Sequence, residues 1–378
     1  MRYEFGKNWS EFARRHVTDE RIETARRCLL DFLKLDDLRG RTFLDIGCGS
    51  GIHSLAAYRA GASRIIGFDY DPDSVRTSRM VREQAGSPDN WEILQGSVLD
   101  RSFLDKLERA DIVYSWGVLH HTGSMWEAVT NASSLMKPDS VFCIALYTTD
   151  IFIDPTPEYW LTLKQRYNRA GALARRCMEW RYALRATILP ELRAGRNPFA
   201  YIREYGRSRG MSYWTDVKDW LGGWPMEFAG IAETKAFCAD QLGLELLNIT
   251  AGEANSEYLF RKKGSTNYWD RVAGRRTEVT LEAPFVHQRG YAWVARVPRY
   301  LSEADTVEEP RRSRLMLCED GLPLGFAHAP HVQIEAYGGS RYSHWGDHLI
   351  FSTTDRSDPN TNGRRYSVYL DAGSGSES

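Results

Sequence analysis

The chain has 378 residues, of which 42% are hydrophobic and 26% charged, and its formal net charge is −1. This is ordinary globular composition, in a chain long enough for two domains. Without an apolar signal core or a run of eighteen apolar residues, we expect a cytoplasmic protein with no membrane partner. Six scattered cysteines, none in a Cys-x-x-Cys pair, argue against a disulfide framework and a cysteine-based zinc site.

Strands and helices alternate from the N-terminus to residue 146. The predicted helices are 10–35, 52–58, 74–84 and 125–136, and the predicted strands are 41–46, 64–68, 91–94, 111–116 and 141–146. The last of these strands is a continuous apolar run, which is typical of a strand buried on both faces. This alternation predicts a doubly wound, mostly parallel sheet of the α/β class.

The alternation stops at residues 150–225, which are rich in arginine and aromatic residues. Helices are predicted at about 158–187 and 198–207. The part from Leu161 to Thr215 holds twelve basic and three acidic residues. Ligands of open α/β sheets bind outside the carboxyl ends of the strands, and the insertion follows the fifth strand. We therefore predict a basic, helical substrate cap; the alternative is an extra helical pair that only packs on the core.

Beyond the insertion, a helix is predicted at 231–241 and strands at 244–250 and 257–261. After a linker, short strand-like pieces predict a β-rich accessory domain over 280–370. These pieces are 291–297, 313–318, 331–336, 348–352 and 366–370. Four of the nine histidines lie there, namely His328, His331, His344 and His348. They raise a metal hypothesis, but ordinary strand and turn histidines explain the cluster, so no metal ligand is assigned. Residues 371–378 are expected to be a disordered tail.

A glycine-rich turn follows the first predicted strand. Its pattern is Asp45-x-Gly47-x-Gly49-x-Gly51, and Asp69 ends the second strand twenty residues after Gly49. Glycines let the backbone approach a nucleotide, and an acid at the second strand can hold ribose hydroxyls. A pyrophosphate would be repelled by a carboxylate before the turn, whereas an ammonium group would be attracted. Ile52 also replaces the third glycine of a dinucleotide fingerprint, which disfavours a nicotinamide dehydrogenase.

This turn resembles motif I of the class I S-adenosylmethionine (SAM) methyltransferases, and the resemblance extends over residues 1–263. It implies a seven-stranded Rossmann-like sheet closed by an antiparallel hairpin, with SAM as cofactor and S-adenosylhomocysteine as product. It assigns Asp45 to the SAM ammonium, directly or through water, and Asp69 to the ribose. The further residues that it assigns to the cofactor are Gly47, Gly49, Gly51, Tyr70, Ser97, Val98, Trp116 and Trp9.

Some of these assignments leave alternatives open. Family members often carry an acid where Ser97 stands, so the adenine contact is a hydroxyl, a backbone group or Asp100. Trp9 is either part of a lid over SAM or an anchor for a terminal helix. The segment that contains Trp116 lies beside the sulfonium in the family.

Two adjacent histidines, His120 and His121, follow the fourth predicted strand. The run Val118-Leu119-His120-His121 resembles methyltransferases of the ubiquinone-biosynthesis type, including sugar O-methyltransferases. A hydroxyl acceptor must lose its proton, and histidine accepts protons near neutral pH. One of the two is the candidate general base, and the other is expected to cap a helix or to pack under the cofactor.

The sequence therefore predicts O-methylation of a hydroxyl on a sugar, a glycan or a glycosylated or anionic small molecule. The first alternative is an RNA or protein methyltransferase that holds a polyanion with its basic insertion. The second is a non-catalytic scaffold that binds SAM or a carbohydrate. Oligomeric state is left open.

Overall fold

The structure is a computed structural model that describes residues 18–209, 212–251, 254–274 and 276–371. Trp9, part of the helix predicted at 10–35, and nearly all of the predicted tail lie outside these residues.

The chain forms two compact units. The first contains the described residues up to Leu29, Asp37–Leu135 and Phe152–Phe228. The second contains Leu30–Asp36, Met136–Ile151 and the described residues from Ala229 onward.

A seven-stranded sheet runs in the order β3-β2-β1-β4-β5-β7-β6. Its strands are β1 Thr42–Ile46, β2 Arg64–Asp69, β3 Trp91–Gln95, β4 Ala110–Trp116, β5 Met136–Tyr147, β6 Leu244–Ala251 and β7 Asn255–Lys262. The pairs β1–β2, β2–β3 and β1–β4 are parallel, whereas β7 is antiparallel to both β5 and β6. The predicted mostly parallel sheet and its closing hairpin are thus confirmed.

Helices connect the parallel strands. They are α2 Ile52–Arg59, α3 Pro72–Gln84, α4 Arg101–Leu104 and α5 Met125–Ser133, and a further helix, α1 Asp19–Leu33, precedes β1. The start of α3 follows from its sequence: the Asp71 carboxylate accepts a hydrogen bond from the Asp73 amide at 2.9 Å, and Pro72 occupies the first turn. At the site edge of the sheet, Ser115 Oγ donates to the Ile46 carbonyl oxygen at 3.0 Å. The carboxyl ends of β4 and β1 are thereby held side by side.

The insertion after β5 is helical, as predicted. It contains α6 Pro157–Arg169, α7 Ala172–Ala183, a π-helix Leu184–Ile188, α8 Leu189–Arg193, α9 Pro198–Arg209 and α10 Tyr213–Gly222. The helix predicted at 158–187 is in fact two, because the backbone is extended at Ala170 (ψ 148°). Many of its aromatic residues form the insertion's own core, in which Tyr167, Tyr205 and Tyr213 are buried. These side chains hold the helices together rather than line an open surface.

The second compact unit carries α11 Ile231–Ala236, α12 Tyr268–Gly274 and two four-stranded sheets. The sheets run β13-β14-β10-β9 and β12-β11-β15-β8. Their strands are β8 Val279–Thr280, β9 Val286–Arg289, β10 Ala292–Arg296, β11 Leu315–Glu319, β12 Leu322–Pro323, β13 Tyr342–Trp345, β14 His348–Phe351 and β15 Tyr366–Leu370. Side chains from both sheets share one core that includes Phe285, Leu317, Tyr342, Phe351 and Val368. The predicted β-rich character of this region is confirmed.

The strand predicted at 331–336 is wrong, because His331–Tyr337 is a helix, α13. The Pro330 carbonyl oxygen accepts from the amides of Gln333 (2.8 Å) and Ile334 (3.1 Å), which starts a helical turn. In a strand, Val332 and Ile334 would share a face. Here Ile334 is buried and Val332 is exposed, as helical geometry requires.

Candidate active site

The glycine turn between β1 and α2 is bonded to the end of β2. The amides of Gly47 and Cys48 both donate to the Phe68 carbonyl oxygen, at 2.8 and 3.0 Å. Gly47, Gly49 and Gly51 all have positive φ, at 73°, 51° and 81°. The turn predicted from the spacing of these residues is therefore present.

The three glycines differ in what surrounds them. A Cβ on Gly47 would lie 2.4 Å from Val118 Cγ1, and one on Gly51 would lie 2.5 Å from Ser78 Oγ. A Cβ on Gly49 would approach only the Gly47 carbonyl oxygen, at 4.0 Å. Gly47 and Gly51 thus allow close packing within the protein, whereas Gly49 faces open space where a ligand can approach the backbone.

Asp69 lies at the carboxyl end of β2, beside this turn. Its Oδ2 accepts from the Gly49 amide at 3.0 Å, and its Oδ1 accepts from the Asp71 amide at 2.9 Å. A carboxylate has about four acceptor sites, so two backbone bonds fix its orientation without exhausting that capacity. The structure therefore brings Asp69 and the glycine turn together, as the spacing predicted.

Asp45 is buried at the end of β1, with 2% of its surface exposed. Its Oδ2 accepts from Ser54 Oγ at 2.6 Å. The pKa of Asp45 is raised to about 7, mainly by burial; the hydrogen bond from Ser54 lowers it and the nearby charge of Asp69 adds to the increase. Ionised Asp45 is thus poorly solvated, and a cation placed against it would stabilise its charge.

The residues assigned to the adenine side differ in how far they are exposed to solvent. Tyr70 is 57% exposed, whereas Val98 is buried. Ser97 Oγ accepts from the Leu99 amide at 3.2 Å. Asp100 is the N-cap of α4, where its Oδ1 accepts from the amides of Ser102 and Phe103. This capping role accounts for Asp100, so Ser97 is the better candidate for a polar adenine contact.

Trp116 ends β4, and a residue that sequence reasoning missed lies beside it. The His53 ring is 5.8 Å from the Trp116 ring and 5.1 Å from the Tyr114 ring, between centroids. Burial lowers the pKa of His53 to about 4, so this ring is neutral at physiological pH. The available signal was its position in the first turn of α2, directly after the glycine turn.

The two histidines after β4 have different surroundings. His120 is fully buried, and its ring centroid lies 4.4 Å from that of His121. His121 is only partly buried, and its Nδ1 lies 2.8 Å from the Pro225 carbonyl oxygen. A carbonyl oxygen only accepts hydrogen bonds, so Nδ1 carries the proton and Nε2 is the acceptor nitrogen of the neutral ring.

The end of the insertion contacts this histidine segment, which sequence reasoning also missed. The Glu227 amide donates to the His120 carbonyl oxygen at 2.8 Å, and Glu227 Oε2 accepts from the Met125 amide at 2.9 Å. Burial raises the pKa of Glu227. With Pro225 bonded to His121, residues 225–227 form a clamp on both histidines and on the start of α5.

The histidines of the C-terminal sheets make separate pairs. His328 Nδ1 lies 2.8 Å from Asp305 Oδ2, and His344 Nδ1 lies 2.8 Å from Ser313 Oγ. His331 packs edge-on against Trp345. Within the described residues, no group of three or more His, Cys, Asp or Glu side chains could hold a metal ion.

The residues of the glycine turn fit SAM. The open position at Gly49 gives a nucleoside access to the backbone, and Asp69 beside it is an oriented acceptor for a ribose diol. Asp45 supplies a buried carboxylate whose charge an ammonium group would stabilise. The open backbone position, the acceptor for the diol and the carboxylate for the ammonium group therefore all lie in one turn and in the two strands that flank it.

Known proteins resemble this chain over its N-terminal part. Residues 16–196 match a family model described as a methyltransferase domain. The ribosomal protein L11 methyltransferase of Tolumonas auensis is 35% identical over 116 residues, which is 31% of this chain and 37% of that protein. The protein of the same name from Vibrio campbellii is 28% identical over 141 residues, or 34% of this chain and 45% of that protein. The chain thus spans less than half the length of these relatives.

Solved structures are similar at lower identity. PKMT2 from Rickettsia typhi in complex with AdoHcy gives a TM-score of 0.43 at 14% identity, covering 64% of this chain and 53% of that one. The magnesium protoporphyrin IX methyltransferase of Synechocystis with bound SAH gives 0.38 at 13% identity, covering 64% of this chain and 84% of that one.

The sheet order, the glycine turn and the acid at the end of β2 define a class I methyltransferase domain, in agreement with the family match over residues 16–196. The chain contains a SAM-dependent methyltransferase domain, and the cofactor of that domain is SAM.

Proposed function

We propose that this protein methylates a hydroxyl group of a sugar, a glycan or a glycosylated or anionic small molecule, with His121 as general base. The observation that carries the proposal is the bond between His121 Nδ1 and the Pro225 carbonyl oxygen. It fixes the tautomer in which Nε2 accepts a proton, and His121 ends the short 3-10 helix Leu119–His121 that comes after β4.

The chain's residues divide the work of binding and proton transfer. When bound, SAM supplies an electrophilic methyl group on its sulfonium centre. The backbone at Gly49 admits the nucleoside, Asp69 accepts hydrogen bonds from the ribose, and Asp45 holds the ammonium group, directly or through water. Tyr70, Ser97 and Val98 lie on the adenine side, and Trp116 lies near the reacting centre. His121 Nε2 accepts the proton of the acceptor hydroxyl, while buried His120 packs against the His121 ring.

We infer an anionic acceptor from the basic charge of the insertion, and not from its aromatic residues. The segment from Arg169 to Tyr205, ends included, contains eight arginines and three glutamates, while the whole chain has a net charge of −1. Arginine binds phosphate and carboxylate groups through a rigid fork of donors. Many of the insertion's aromatic side chains are used in its own core, which weakens the case for sugar stacking there.

Compartment and domain organisation belong to the same proposal. We place the reaction in the cytoplasm, since all six cysteines are free thiols. No helix in the described residues has the length and apolar character needed to cross a bilayer. Residues 1–263 form the proposed methyltransferase domain with its cap at 150–225, 280–370 the accessory domain and 371–378 the tail.

Replacing His121 tests the proposal. In His121→Asn the side-chain amide can still donate to Pro225, but the basic nitrogen is gone. We expect methyl transfer to fall at least about a hundredfold, with unchanged SAM affinity by calorimetry. The acceptor is taken from metabolites that accumulate in a deletion strain, identified by mass spectrometry.

His120→Gln is the matched control, because His120 is buried beside His121 but is not the proposed proton acceptor. It should keep most of the rate if its thermal unfolding is normal. Normal turnover by His121→Asn would show that the base lies elsewhere or that the acceptor needs none.

A second candidate is protein or RNA methylation. It is favoured by the similarity to the ribosomal protein L11 methyltransferases of Tolumonas and Vibrio and by the charge of the insertion. Labelled SAM incubated with ribosomal particles distinguishes the two, because label in protein or RNA supports the second candidate.

A further inference from the structure

The outer face of α7 is apolar and exposed. Leu173, Cys177, Trp180 and Leu184 follow one another at helical spacing, and Leu173, Trp180 and Leu184 are 86%, 45% and 45% exposed. At 100° per residue these positions lie within a narrow arc of the helix. Glu179 and Ala183, which lie outside this arc, are buried. The Trp180 ring is partly exposed and contacts the Trp214 ring, with 4.6 Å between centroids.

More exposed apolar residues follow in the chain after the π-helix. Leu189 and Leu192 of α8 and Phe199 of α9 are also exposed. We call Leu173, Trp180, Leu184, Leu189, Leu192 and Phe199 the exposed apolar stripe. An amphipathic helix normally turns its apolar face toward a core, so a stripe that faces outward needs another partner.

Exposed arginines alternate in the sequence with the residues of the exposed apolar stripe. Arg169, Arg181, Arg185 and Arg193 are exposed, and no carboxylate pairs with any of them in the described part of the chain. Arg181 in α7 directly follows Trp180, and Arg185 in the π-helix directly follows Leu184. Long arginine side chains can extend from an apolar surface toward anionic groups above it.

We propose that the exposed apolar stripe and its arginines dock on the surface of an anionic lipid bilayer. Leucine, tryptophan and phenylalanine would enter the boundary between headgroups and acyl chains, while the arginines contact lipid phosphates. The aliphatic residues favour lipid over nucleic acid, because leucine offers bases no aromatic stacking surface. The expectation of no membrane partner rested on the lack of a long apolar run, and surface docking requires none.

Vesicle sedimentation of the full chain tests the inference. We expect binding to vesicles of phosphatidylglycerol and phosphatidylcholine that weakens with added salt, and little binding to phosphatidylcholine alone. The readout is binding, so its outcome is independent of the methyl acceptor and of the proposed base.

Two paired variants separate the contributions. Leu173→Ser/Leu192→Ser should weaken binding at least about tenfold, through lost apolar burial. Arg181→Gln/Arg185→Gln should weaken it about 25-fold on anionic vesicles. The matched controls are Val286→Ser/Val307→Ser and Arg289→Gln/Arg311→Gln, which change exposed residues of the C-terminal sheets and their loops and should bind normally.

Each of three outcomes would overturn the inference. The first is that the unmodified protein fails to sediment with anionic vesicles at low salt. The second is equal vesicle binding by the leucine variant and its control, with both normally folded. The third is a result with single-stranded RNA. If the arginine variant binds RNA more weakly, the leucine variant binds RNA normally and both variants bind vesicles like the unmodified protein, the surface binds nucleic acid instead of lipid.

Discussion

At the scale of single residues, the glycine turn separates two uses of the same amino acid. Gly47 leaves room for Val118, which precedes the histidine segment, and Gly51 leaves room for Ser78 on α3. At Gly49 no side chain among the described residues occupies the space beside the backbone, and that space is open. The spacing of the three residues predicted the turn, but only their neighbours in the fold show which glycine faces a ligand.

Gly49→Ala should therefore reduce SAM affinity more than stability. Alanine at this positive φ costs about 1–2 kcal/mol, and its methyl group fills the open position, so we expect at least about a tenfold weaker Kd by calorimetry. Gly47→Ala adds a clash with Val118, of about 1–3 kcal/mol, to the same backbone strain and should mainly lower the unfolding temperature. SAM binding by Gly49→Ala at the unmodified affinity would contradict the assignment.

Asp69 and Asp45 show how far a sequence pattern reaches. Their positions at the ends of β2 and β1 were predictable, because an acid in each position belongs to one recognisable spacing. The bond from Ser54 and the raised pKa of Asp45 were not, since both depend on burial that only the folded chain defines.

At the scale of elements, the clamp formed by residues 225–227 joins the insertion to the histidine segment. Glu227 acts on α5 as an N-terminal capping acid does, although it is about a hundred residues away in sequence. No local pattern marks such a residue, because its partner amide is distant in the chain.

Glu227→Ala should lower the rate constant of methyl transfer with little change in SAM affinity, because it frees the α5 amide and loosens the turn that holds His121. The expected loss of stability is about 1 kcal/mol. Glu227→Gln should restore activity, since an amide oxygen still accepts from Met125. Single-turnover kinetics measures the effect.

Glu233→Ala provides the control, because Glu233 Oε2 accepts from the Gly230 amide at the start of α11 in a similar way. It should lose comparable stability at normal rate. A rate loss in Glu233→Ala equal to that in Glu227→Ala would mean that the effect is one of general destabilisation.

At the scale of the whole molecule, one buried arginine joins distant segments of the second compact unit through hydrogen bonds. Arg341 donates to the carbonyl oxygens of Gly338, at 2.7 Å, and of Asp150, just after β5. Its guanidinium lies 4.7 Å above the centre of the Phe326 ring. The Asp150 carboxylate in turn accepts from the Ile231 amide at 2.7 Å, so the residues on either side of the insertion are joined.

Arg341→Met should lower the free energy of unfolding by about 2–5 kcal/mol, because it removes the donor from the carbonyl oxygens of buried Gly338 and partly buried Asp150. Arg356→Met is the control: Arg356 also donates to a carbonyl oxygen and lies over a ring, but it is exposed, so its loss should be about 1 kcal/mol. Denaturant unfolding of the full chain compares them. Equal losses would show that Arg341 has no special role.

The position of β7 between β5 and β6 has a consequence during synthesis on the ribosome. Strand β5 ends at Tyr147, but the neighbour that covers its second edge begins only at Asn255. At ordinary translation speeds this interval lasts roughly 5–20 s. During this interval the nascent polypeptide exposes an unpaired apolar strand edge, on which other chains can aggregate. We expect chaperones to bind this region until β7 is synthesised.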